Sequence, residues 1–104
     1  MSEMNPFTPL HPGEVLLEEY LKPLGFSQNK LALSMRVPAQ QISEIINCKR
    51  AITPETALRL ALVIGTTPEF WLSLQAEYDL QVLKISRGSQ IENEVKPIYA
   101  VNPT

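Results

Sequence analysis

Residues 27–50, SQNKLALSMRVPAQQISEIINCKR, constrain the fold more tightly than any other part of this 104-residue chain. Ser27 is suited to cap a helix on which Leu31, Ala32 and Met35 face inward. A four-residue corner, Arg36–Ala39, separates it from a second helix. On that helix Ile42, Ile45 and Ile46 share one side, and Gln40, Ser43, Glu44 and Asn47 the other. The spacing of Ala32, Val37, Ile42 and Ile45 suits two short helices crossing steeply around a small core. Ala32 is small where the helices approach, and the isoleucines wedge the second helix against the first. The polar face then projects outward in a form that fits a DNA major groove. A plain helical hairpin in an all-α bundle is the competing reading.

The flanks carry the same punctuation. Residues 1–10 hold Pro6 and Pro9 without periodicity and read as an irregular arm. His11-Pro12-Gly13-Glu14 opens a helix, with His11 as cap and proline where its missing N–H costs nothing. Val15, Leu16, Tyr20 and Leu21 form its inward stripe, and Lys22-Pro23-Leu24-Gly25 ends it. Thr53-Pro54-Glu55 and Thr67-Pro68-Glu69 start two further helices with a cap, a proline and an acid. The first is apolar nearly all round except Arg59 and reads as the central buried helix; the second is expected to run to about Leu83. The organisation is thus an arm (1–10), an all-α five-helix domain (11–84) and a flexible tail (85–104), with a short strand possible in the tail.

Composition narrows the function. No run approaches the roughly 18 apolar residues a membrane span needs. The start, MSEMNPFTPL, lacks a signal core, and a lone Cys48 fits a reducing compartment, so the cytoplasm is expected. One histidine and one cysteine cannot build a structural zinc site. Neither a catalytic constellation nor a phosphate-cradling loop is present, so no enzyme activity and no cofactor are expected. A net charge of −2 argues mildly against nucleic acid, but residues 27–50 carry Lys30, Arg36, Lys49 and Arg50 against Glu44 alone.

On a DNA-binding reading, Gln40 and Gln41 can pair with adenine edges, and Glu44 can accept from a cytosine amino group. Ser27 and Gln28 lie at a helix N-terminus that favours a phosphate. Lys30, Lys49, Arg50 and Arg36 can add charge contacts, and Ala39 stands at the corner beside them. Arg36 and Cys48 occupy places where such motifs use glycine for positive φ, at a cost of about 1 kcal/mol. Phe70, Trp71, Leu74 and Tyr78 make an aromatic stripe on the fifth helix, read as a candidate two-fold dimer interface.

HPGEVLLEEYLKPLG, the central motif, and NCKRAITPETALRLALVIGTTPEFWLSLQAEYDL together resemble the HigA-type antitoxins of bacterial toxin–antitoxin modules, over roughly residues 10–83. These belong to the phage-repressor-like and Cro-like DNA-binding domains. The resemblance implies a lambda-repressor-like homodimer that binds a palindromic operator in its own promoter and neutralises an mRNA-cleaving toxin. It places Gln40, Gln41, Ser43 and Glu44 toward the bases, and Asn47, Lys49 and Arg50 at the end of the recognition helix and its turn. The alternatives are a protein-interaction module and a solitary regulator without a toxin.

Overall fold

The computed structural model describes residues 8–98. The first helix is one continuous rod in three pieces: α1 (Pro12–Val15), a π-helical stretch (Leu16–Leu21) and α2 (Lys22–Leu24). The Lys22 N–H reaches back five residues to the Leu17 carbonyl. Pro23, which follows, has no N–H and would crowd the carbonyl of a normal turn, so the wider π turn suits it. Gly25, at φ 68°, ends the rod.

Helix α3 (Gln28–Met35) starts on Ser27, whose hydroxyl accepts from the Lys30 N–H at 3.0 Å. Helix α4 (Ala39–Ile46) follows the corner, and α5 (Pro54–Ile64) and α6 (Pro68–Glu94) start on Thr53 and Thr67 as expected. Counting the first rod once, the described residues form five helices. None of the described helices is long and apolar enough to cross a membrane.

The core lies where the rod, α3, α4, α5 and the start of α6 meet. Leu16, Leu31, Ile42, Ile45, Leu60 and Trp71 are fully buried within it, each worth about 1.5–3 kcal/mol or somewhat more for the larger indole. Tyr20 is half-buried beside Trp71.

Three expectations need correction. Trp71 is not an interface residue: its ring has no exposed area and its Nε1–H donates to Thr66 Oγ1 at 2.7 Å. Helix α5 is not buried all round, because Thr56, Ala57, Leu60 and Ala61 face inward while Leu58 and Leu62 stand exposed. Helix α6 continues past Leu83 to Glu94, so residues 85–94 are helix rather than tail. Beyond the core it is held by helix-forming residues and side-chain pairs such as Gln81–Glu77 and Gln90–Glu94, which outweigh the roughly 1 kcal/mol that Gly88 costs. Residues 1–7 of the arm and 99–104 of the tail lie outside the described residues.

His11 is buried, and its Nδ1 accepts from the Gly13 N–H at 2.9 Å. Its ring stands edge-on to Tyr78, with centroids 4.8 Å apart. Burial lowers its pKa; the carboxylates of Glu14 and Asp79 oppose this only in part. The folded state therefore binds a proton less readily than the unfolded chain, whose histidine titrates near about 6.5. Stability should be held above that pH and lost as pH falls through the lowered folded value. Melting curves from pH 8 to 5 test this: the wild type should lose Tm below about 6.5, and an H11N variant should lose less of it.

Candidate nucleic-acid interface

The exposed side of α4 is set by what holds its other side. Ile42, Ile45 and Ile46 are buried. Gly13 of α1 lies so close beneath that a β-carbon there would overlap the Ile45 carbonyl. The corner before α4 closes through Arg36 in the left-handed region (φ 58°), with the Val37 N–H bonded to the Ala32 carbonyl at 3.0 Å. The turn after it repeats the device: Cys48 sits at φ 62°, and the Lys49 N–H bonds the Glu44 carbonyl at 2.8 Å. Both residues adopt the conformation for which glycine was expected. Arg36→Gly should therefore raise unfolding free energy by about 0.5–1 kcal/mol in urea titrations. A loss of stability instead would mean that the arginine side chain makes a compensating contact.

Two polar side chains to which the sequence reading assigned no function position the motif. Arg59 donates through Nη1 to the Met35 carbonyl at 3.0 Å, closing the C-terminus of α3, and through Nε to Glu55 at 3.1 Å. Gln75, almost fully buried, accepts from the Ile52 N–H at 2.7 Å and donates to Asp79 at 2.9 Å. It thereby pins the segment that leaves the motif onto α6. The only advance signals were one arginine on an apolar helix and the glutamine of FWLSLQ.

Outward, Ala39 and Gln40 open the first turn of α4, both exposed. Gln40 donates to Glu44 at 3.3 Å, which leaves its amide oxygen open. Glu44 also accepts from Arg50 Nε at 2.8 Å, and this hydrogen bond is the chief reason its carboxyl titrates below the ordinary range. Ser43, half-buried, accepts weakly from Asn47 at 3.4 Å. Ser27, Lys30, Arg36, Lys49 and Arg50 are exposed, and Gln28 is half-buried at the start of α3. Lys30 extends over the Phe26 ring at 4.9 Å.

Gln41 departs from the expected set. Its Nε2 donates to Thr56 Oγ1 at 3.1 Å, so its amide is committed to the start of α5. One helical step from Gln40 rotates it about 100°, enough to turn it from the open face to the packed one. The resulting surface has an amide at the front of a short projecting helix, a carboxylate held by an arginine, and cations at both ends.

The family model for helix-turn-helix proteins, HTH_3, matches residues 17–71. An addiction module antidote protein of the HigA family from Coxiella burnetii superposes with a TM-score of 0.83 at 47% identity, covering 86% of this chain and 98% of that one. The chain belongs to the HigA-type helix-turn-helix family. Antitoxin HigA of Pseudomonas aeruginosa, solved with the higBA promoter, superposes on this HigA-type chain with a TM-score of 0.84 at 36% identity, over 88% of this chain and 99% of that one. Virulence-associated protein I of Dichelobacter nodosus is 42% identical over 85 residues, which is 82% of this chain and 79% of that protein.

Proposed function

We propose that this HigA-type protein is the DNA-binding antitoxin of a toxin–antitoxin module. It acts in the cytoplasm by occupancy rather than catalysis: it represses its own operon and neutralises an mRNA-cleaving toxin. The projecting α4, with Gln40 exposed at its front and cations flanking it, carries the DNA reading. The likeness to an antitoxin solved on promoter DNA supports it.

A palindrome needs two recognition helices about 34 Å apart, and therefore two chains. We place the two-fold contact on α6. Of the aromatic stripe, Phe70 is exposed, while Leu74 and Tyr78 are half-buried. Leu80, Leu83 and Ile85 extend the open apolar surface along the same helix.

In this reading Gln40 reads bases, and Lys49 contacts phosphate. Gln40→Ala should weaken binding to the preferred operator by about 1–3 kcal/mol while leaving nonspecific binding alone. Lys49→Ala should weaken every sequence alike and flatten the salt dependence. Fluorescence anisotropy on the operator and on scrambled DNA measures both effects. An unchanged site preference in the Gln40 variant would remove that residue from base readout.

A further inference from the structure

Between the first helix and the end of α4 lies a cavity of about 300 Å³. Its floor is apolar, formed by Leu10, Leu17 and Ile46, and its rim carries Glu14, Glu18 and Glu19. All three carboxylates are exposed. Glu18 bonds Lys22 at 2.9 Å, whereas among the described residues Glu14 and Glu19 have no basic ion-pair partner. Negative charge gathers on this rim, where Glu14 also accepts from Cys48 Sγ, in the turn after α4, at 3.7 Å. A phosphate backbone would be repelled from such a rim, so the groove is unsuited to DNA.

We propose that this groove is where the toxin docks, through a lysine- or arginine-bearing segment; the inference rests on the antitoxin reading above. The chemistry is complementary on both counts. A protein that cleaves RNA must bind a polyanion and so carries a basic surface. A lysine or arginine lays its methylene stem on an apolar floor while its charged head reaches carboxylates at the rim. The chain's own first seven residues, MSEMNPF, include no lysine or arginine and match the rim less well. Ile46, in the floor of the groove, is the last residue of α4. A docked toxin therefore presses on the helix that faces DNA.

The test uses the full chain and, as probe, the purified product of the gene neighbouring its own. Toxin affinity is measured by calorimetry and operator affinity by anisotropy. A triple variant, E14Q/E18Q/E19Q, is compared with E69Q/E77Q/E92Q, which removes the same charge from exposed positions on α6. The proposal expects the groove variant to lose at least 30-fold in toxin affinity, to keep operator affinity within threefold, and the α6 variant to match the wild type. Equal toxin binding by the groove variant, or equal loss in both variants, would overturn the groove while leaving the antitoxin reading intact. Wild-type protein that binds its operator but no toxin would overturn both. Should the groove variant lose its fold, Glu19→Lys alone replaces it, with the same expected loss and the same overturning result.

Discussion

Gly13→Ala is expected to cost about 1–3 kcal/mol or more in stability and to weaken operator binding as well. The reason is space and not backbone freedom. The added methyl would meet the Ile45 carbonyl of α4, which is backbone and cannot rotate aside as a flexible side chain would. The first rod and the recognition helix must separate, and the hydrogen bond from the Gly13 N–H to His11 must shift with them. Since α4 is only eight residues long, a small tilt at Ile45 moves Gln40 at its other end. Gly25 and Gly65 make the contrast: a β-carbon there meets nothing within 4 Å, but both glycines sit at positive φ. Urea unfolding and operator titration of Gly13→Ala check both effects. Stability within about 0.5 kcal/mol of wild type, the range of an ordinary surface change, would show that the rod and α4 are free to part.

Trp71→Ala should remove about 3–5 kcal/mol, a large share of the roughly 5–15 kcal/mol that holds a domain together. The ring fills the centre of the core, touching Tyr20 and Phe70 at centroid distances of 5.5 and 5.0 Å. Its N–H bonds Thr66, so truncation leaves both a cavity and a lost hydrogen bond. Phe70→Ala, by contrast, should act mainly on dissociation of the two-fold dimer proposed on α6. If Trp71→Ala changed only that dissociation and spared the monomer, Trp71 would belong to an interface after all.

The contrast between Phe70 and Trp71 shows where the sequence was legible. Local signals placed the helices: Ser27, Thr53 and Thr67 each cap the helix they announce. Ile42 and Ile45, spaced three apart, identified the packed side of α4. Periodicity gives a helix an apolar side, but it does not say what covers that side. Trp71 was therefore read as a surface that the first rod in fact buries, and Leu58 and Leu62 as core where no described element covers them. Gln41 failed for a related reason, since a polar residue at the border of a face bonds a neighbour or faces solvent according to packing. HPGE was visible as a helix start, but the need for its glycine lies 32 positions away at Ile45. The end of α6 was placed too early at about Leu83, since helix formers and side-chain pairs carry the helix across Gly88 to Glu94.

Specific operator reading by α4 is what the proposed function requires. The most direct measurement is a titration of the purified chain onto its own upstream DNA at about 150 mM salt with excess competitor, conditions under which nonspecific phosphate contacts are weak. The expected result is competitor-resistant binding with a Kd on the order of 10⁻⁸ M or tighter and two chains per palindrome. Binding that disappears under competitor, or one chain per site with no sequence preference, would contradict it.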